Sequence, residues 1–423
     1  MNKENRPTLF FFNISISLLW SIWYIFTTHG RVPRLIFLYG PAWPLPRSRF
    51  RICFDNFART FFCTLSKLSN LIASVDLRGK DKKNIPAEVV PIDQIYRVAE
   101  NTVATINRTA FIRFFSIEMF KAQEAAKDGY VSGLALTKNR TFPDVEFAYV
   151  LNGRWAPIHM FLQALQDRGT VKQLRYLEVI DSPTGKRIFE SITHPWEIRT
   201  FYDLAKSAQD RNLVLTPTPF FEFRRKGLDK DGAKFAKSQT QRYNKAIDIS
   251  LFTSSLEEQI GFNYSSKDAI NLTKTALREL ARFQLMGYRC ALRLHPNTAF
   301  KHFRDQRVWQ RWAAILNEIG VDVVPPESSV SSYDMIEAST VVLTIGSTIG
   351  AEAAYLGKIA FDFLETSLPV LCGCVTSYSR STCINELSNI GQSPRPSEVA
   401  FDLFGFANYN IGTPIPKWLT LKN

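Results

Sequence analysis

The chain has 423 residues, 45% of them hydrophobic and 22% charged, a balance that excludes a disordered or low-complexity protein. Its length suits two domains better than one. A net charge of +13, with Lys and Arg spread along the chain, suits nucleic acid, anionic lipid or phosphorylated substrates and does not choose among them.

The first element is an uncharged run from Pro7 to Thr28, dominated between Leu9 and Phe26 by Leu, Ile, Phe and Trp. It is long enough for a membrane helix, although Asn13, Ser15, Ser17 and Ser21 interrupt it. The arginines that follow, Arg31, Arg34, Arg47, Arg49, Arg51 and Arg59, would keep the body of the protein on the cytoplasmic side of such a span. A buried helix or strand of an N-terminal domain explains the run equally well. Residues 31–90 give no assignable element, and the first 90 residues show no clear first strand with a glycine-rich turn. Residues 92–127 read as largely helical. Phe147–Leu151 is a short apolar strand closed by Asn152-Gly153-Arg154, and a helix is predicted from Pro157 to Asp167, with Gly169 as its cap. Tyr176–Ile180 is the next strand. This alternation predicts an α/β domain over residues 31–225.

The polar stretch Lys226–Lys245 reads as a linker, and a second α/β domain follows over residues 246–400. Apolar runs at Ala246–Thr253, Ala291–Leu294, Val321–Val324, Val341–Ile345 and Ile359–Phe363 predict buried parallel strands. Helices are predicted over Asn271–Met286 and Arg304–Ile319, the latter with an apolar stripe at Val308, Trp312, Ile315, Leu316 and Ile319. Six cysteines (Cys53, Cys63, Cys290, Cys372, Cys374 and Cys383) show no zinc spacing and read as reduced, structural thiols, so no metal site is expected.

Polar residues gather where these strands end, which in an open α/β sheet is where ligands bind. Gly346-Ser347-Thr348 follows one strand and precedes a helix predicted to run to Leu356, with Gly357 as its cap. Unpaired N–H groups at such a turn, with two hydroxyls beside them, suit an anionic oxygen. Ser347 or Thr348 could equally be a simple helix cap. A P-loop is excluded by the lack of Gly-Lys-Ser/Thr. Glu352 lies one turn further on, placed to accept from sugar hydroxyls or simply to face solvent. Arg293 and His295 fall on one face of their strand, and Pro296 stops it; a cation beside an imidazole fits a leaving phosphate. In the first domain Asn152 and Arg154 are candidates for holding an acceptor. Glu178 and His159 are candidates for the base that takes its proton.

Phe252-Thr253-Ser254-Ser255-Leu256-Glu257-Glu258, then Leu294-His295-Pro296, Asp334 and Gly346-Ser347-Thr348-Ile349-Gly350-Ala351-Glu352-Ala353-Ala354-Tyr355-Leu356-Gly357-Lys358, resemble the C-terminal domain of capsule and surface-polysaccharide biosynthesis proteins. These resemble glycosyltransferases of the GT-B type, Kdo-transferase-like capsule enzymes among them. Asn152-Gly153-Arg154, followed by a helix and Leu177-Glu178, is similar to the N-terminal half of that group. The resemblance implies two Rossmann-like domains facing across a cleft and a nucleotide-sugar donor held without a metal or further cofactor. Ser254, Ser255, Arg293, His295, Gly346, Ser347, Thr348 and Glu352 would bind the donor. The acceptor would be a lipid-linked or growing polysaccharide at the inner face of the cell membrane, with peripheral membrane contact and no nucleic acid. A nucleotide-sugar 2-epimerase shares the fold and the element around Glu352, and a non-catalytic assembly protein of the same fold is the third reading.

Overall fold

The computed structural model describes residues 7–11, 16–29, 33–39, 72–76, 91–107, 117–138, 145–151, 156–182, 185–191, 198–210, 220–225, 241–255, 265–301, 303–389, 396–409 and 413–416. Two sheets organise them. The first contains β1 (Thr8–Phe11), β2 (Arg34–Tyr39), β3 (Ile72–Asp76), β4 (Val145–Leu151), β5 (Val171–Ser182), β6 (Gly185–Ser191) and β13 (Thr413–Pro414), in the order β13-β6-β5-β4-β1-β2-β3. Strands β5 to β3 run parallel, and the β5–β6 hairpin and β13 are antiparallel additions. The second contains β7 (Ile247–Phe252), β8 (Cys290–Arg293), β9 (Asp322–Val324), β10 (Ser339–Thr344), β11 (Ile359–Asp362) and β12 (Thr376–Ser377), in the order β12-β11-β10-β7-β8-β9 and parallel throughout.

Counted from its own first strand, the second sheet reads 3-2-1-4-5-6, the Rossmann order, with its switch point between β7 and β10. The parallel part of the first sheet reads 3-2-1-4-5, with its switch point between β1 and β4. The expected α/β class with two parallel sheets is what the chain forms.

The N-terminal apolar run divides into β1 and the helix α1 (Ile16–His29). Strand β1 is central, paired with β2 and β4, and Leu9 and Ile25 pack with Tyr149, Leu177 and Ile188. Its apolarity is therefore used inside the first sheet. No described helix is long and apolar enough to cross a membrane. Residues 31–90, unassignable from sequence, contain β2 and β3.

Helices α2 (Ile92–Asn107), α3 (Ile117–Lys138) and α4 (Ala156–Asp167) follow; Gly169, at φ +68°, closes α4 as expected. Helices α5 (Ile198–Asp210) and α6 (Phe220–Arg225) fall within the range assigned to the first domain. Yet Ala205, Phe220 and Phe221 join a core with Ile247, Val342 and Ala353 of the second.

In the second half, α7 (Ser266–Leu285) begins five residues earlier than its apolar pattern predicts. Ser265 accepts from the Asp268 N–H at 3.1 Å and Asp268 occupies the first turn, so capping starts the helix where hydrophobicity is silent. Glu100 of α2 also accepts there, from the Ser266 N–H and hydroxyl at 3.2 and 2.5 Å, joining the two halves. Then come a 3-10 turn (Pro296–Phe300), α8 (Phe303–Glu318), α9 (Ser332–Ala338), α10 (Ile349–Tyr355), α11 (Leu368–Leu371), α12 (Arg380–Ser388) and α13 (Glu398–Tyr409). Residues of α7, α8 and α12 share one core on one face of the sheet, and those of α9, α10 and α13 share the other. The predicted stripe of α8 is rotated. Its buried residues are Asp305, Trp309 and Leu316, and Ile315 is 51% exposed. After α13 the chain returns to the first sheet, where β13 pairs with β6.

Candidate functional site

Strands β10, β7 and β8 are neighbours, and their carboxyl ends bring the predicted loops together. After β7, the Ser254 hydroxyl donates to the Ile345 carbonyl at 2.5 Å and fastens the end of β7 to that of β10. Thr253 Oγ1 accepts the His295 N–H at 2.8 Å and fastens β7 to β8 on its other side. Ser255 is buried, and among the described residues its Oγ meets no hydrogen-bond partner. A buried hydroxyl left so costs stability unless something else bonds it. His295 Nδ1 accepts the Asn297 N–H at 3.1 Å, which puts the proton of the neutral ring on Nε2 as a donor.

The turn after β10 has a specific cause. Gly346 sits at φ +67°, and a Cβ there would lie 2.8 Å from Leu364 Cδ2. Its N–H donates to Asp362 Oδ1 at 2.7 Å, and the Leu364 N–H reaches the same oxygen at 2.8 Å. Asp362, at the end of β11, is fully buried. Burial raises its pKa, opposed by those two N–H groups and by the hydroxyls of Thr344 and Ser367. Ser347 Oγ accepts the Ile349 N–H at 3.3 Å. Thr348 is the residue before α10 but makes no capping bond; its hydroxyl turns to Glu352 Oε1 at 3.1 Å. Gly350 lets α10 approach β10, since a Cβ there would lie 2.9 Å from Thr344 Oγ1.

Two predicted donor-binding residues have other occupations. Arg293 is 2% exposed and donates to the carbonyls of Pro325 at 2.7 Å and Ser328 at 3.3 Å, fastening the loop after β9. Burial lowers its pKa to about 10. Glu352 is also 2% exposed; besides Thr348 it accepts a short hydrogen bond from the Tyr333 hydroxyl at the start of α9. Its carboxylate holds α10 to α9 beneath the loop.

In the first half, His159 lies in the first turn of α4, just past the carboxyl end of β4. Burial lowers its pKa to about 4, so the imidazole is neutral at pH 7. The unfolded chain binds this proton first as pH falls from about 6.5 towards 4, so folded stability should fall over that window. In His159→Gln that decline should be smaller, as melting curves at pH 7.5 and 5 would show. Glu178 does not end its strand, since β5 continues to Ser182, and it pairs with Phe189 of β6. Register with β4 stops at Leu151↔Leu177, however, so Glu178 stands level with the carboxyl end of that parallel neighbour. Asn152 and Arg154 lie outside the described residues.

Asp362 and Tyr333 were not singled out from sequence, although an acid closing the apolar run Ile359–Asp362 was a readable signal. The expectation of no metal rested in part on the chain holding no Asp-x-Asp pair, and that is incorrect, since Asp229-Lys230-Asp231 spells one; it lies outside the described residues. Among the described residues no group of three or more His, Cys, Asp or Glu could hold a metal ion.

No family model and no curated protein matches the chain. Among solved structures it is similar to a KpsC β-Kdo 2,7 transferase of Thermosulfurimonas dismutans, at 12% identity and TM-score 0.32 over 65% of this chain and 80% of that one. A KpsC β-Kdo 2,4 transferase of the same organism is similar at 14% identity and TM-score 0.32, over 63% and 79%. A UDP-N-acetylglucosamine 2-epimerase of Rickettsia bellii is similar at 12% identity and TM-score 0.26, over 95% and 94%. Identities and TM-scores this low assign no activity to the chain.

Proposed function

We propose that the chain is a glycosyltransferase that takes a sugar from a nucleotide-sugar donor, with a surface polysaccharide as acceptor. One observation carries this reading: the switch point of a Rossmann-ordered sheet collects Ser255, His295 and the Gly346–Thr348 turn on three adjacent strand ends. Those groups offer hydroxyl, imidazole and backbone N–H donors, which suits a diphosphate. The bond from the sugar anomeric carbon to the donor phosphate breaks, and the departing charge is stabilised at the turn. A bond from the acceptor oxygen to that carbon forms, and the acceptor proton passes to a base of the first half. Burial disfavours the imidazolium that transfer to His159 would create, which favours Glu178.

Thermal shift with CMP-, UDP- and GDP-sugars tests donor binding. A ligand at about 100 times its Kd should stabilise the protein by about 2.7 kcal/mol. Ser255→Ala should leave the free protein at least as stable as before, because that hydroxyl bonds nothing among the described residues, yet weaken the effective donor roughly tenfold. Glu178→Gln should retain the shift and lose turnover. A Ser255→Ala protein with undiminished affinity would remove the donor from this crevice, and unchanged turnover in Glu178→Gln would remove the assigned base.

A further inference from the structure

Helices α7 and α8 pack side by side on one face of the second sheet, away from the strand ends that form the crevice. Between them runs a groove of about 290 Å³ floored by Leu277, Ala281, Trp312, Ile315 and Leu316. Ile315, at the mouth of the groove, is apolar and 51% exposed. At helical spacing ahead of it stand Arg304, Arg307 and Arg311, and Lys274 and Arg278 of α7 form the opposite rim. Phe303, exposed at the start of α8, lies under the guanidinium groups of Arg304 and Arg307 at 5.8 and 5.4 Å. The exposed acids on these helices are at their ends, Asp268 on the cap of α7 and Glu318 closing α8.

We infer that this face of α7 and α8 docks on an anionic phospholipid bilayer, with the cations among headgroup phosphates and Ile315 and Phe303 dipping towards the acyl chains. Cations beside exposed apolar side chains on a helix surface have that complementarity. An acidic polymer would use the rim and leave the apolar floor exposed. A protein partner would ordinarily need about 800 Å² on its side, far more than this groove offers. The inference does not depend on the transferase reading, since none of these residues belongs to the crevice.

The test is flotation of the full chain with vesicles of phosphatidylcholine alone and of phosphatidylcholine mixed with phosphatidylglycerol. Binding should require the anionic lipid and be released by salt. The triple variant Lys274→Gln, Arg278→Gln, Arg311→Gln should lose about a hundredfold in affinity, at roughly fivefold per cation. Ile315→Ser, with every charge retained, should also bind more weakly. The variants alter exposed positions, and an unchanged melting curve would show that they fold. Binding that is equal on neutral vesicles, or that survives the triple variant, overturns the inference. So does a chain that ignores both vesicles but is retained by a soluble acidic polysaccharide.

Discussion

Glu279→Ala is expected to destabilise the second half by about 2 kcal/mol, below the scale for a wholly buried ion pair because the guanidinium groups of Arg282 and Arg380 are half exposed and regain water. Glu279 is buried on the inner side of α7, a few residues from the groove but facing the other way. It accepts from Arg380 Nε and Nη2 at 2.5 Å each, from Arg282 at 2.5 Å and from the Tyr378 hydroxyl at 2.9 Å. These bonds tie α7 to the end of β12 and the start of α12. Alanine would leave Tyr378 and the two guanidinium groups without that acceptor. The Tm should fall by about 4–8 °C. Hydrogen bonds from Arg380, first among several causes, hold the Glu279 pKa below its ordinary value. A depressed carboxylate stabilises above its unfolded pKa, and that contribution is lost as pH falls through the folded one. The gap in Tm between wild type and Glu279→Ala should therefore narrow below about pH 4.5. A gap as wide at pH 3 as at pH 7 would show that packing, not charge, is what alanine removes.

The second large effect concerns Asp362. Asp362→Ala takes the acceptor from two N–H groups, those of Gly346 and Leu364, at the turn assigned to the phosphate. Each buried donor left unsatisfied costs about 1–3 kcal/mol, so a combined loss of about 3 kcal/mol is expected, with loss of donor binding. Asp362→Asn keeps an oxygen for both donors and should retain the turn. The folded pKa of Asp362 lies above the ordinary value because of burial. Between the unfolded and folded pKa the folded state holds more protons, so stability contributed here falls as pH rises through that window. Asparagine cannot titrate, and its stability profile should lack that fall. If Asp362→Ala binds donor as tightly as wild type, the turn is not the phosphate site.

Strands β7 to β11 of the second sheet were legible because each is largely an apolar run, whereas β12, the polar pair Thr376–Ser377, carries no such signal. Ser254, Ser255, Ser347 and Thr348 were legible as small polar residues that stand where two of those runs stop. Less legible was the N-terminal run, whose uncharged length reads as one span although it supplies a central strand and a separate helix. Strand β2 carries the apolar run Leu35–Tyr39 and was a readable signal that the surrounding prolines and arginines obscured, while β3, Ile72–Asp76, mixes small and polar residues and has no clear period. The tasks of Arg293 and Glu352 were hidden too. Their partners, the Pro325 and Ser328 carbonyls and the Tyr333 hydroxyl, reach them through the fold rather than through spacing.

A crystal of the full chain grown with a nucleoside diphosphate bears most directly on the assignment of the crevice. The diphosphate should lie at the Gly346–Thr348 turn, with Ser255 Oγ and His295 Nε2 within hydrogen-bonding distance of the ligand. A diphosphate bound elsewhere, with no contact to the Ser255 hydroxyl, would contradict it.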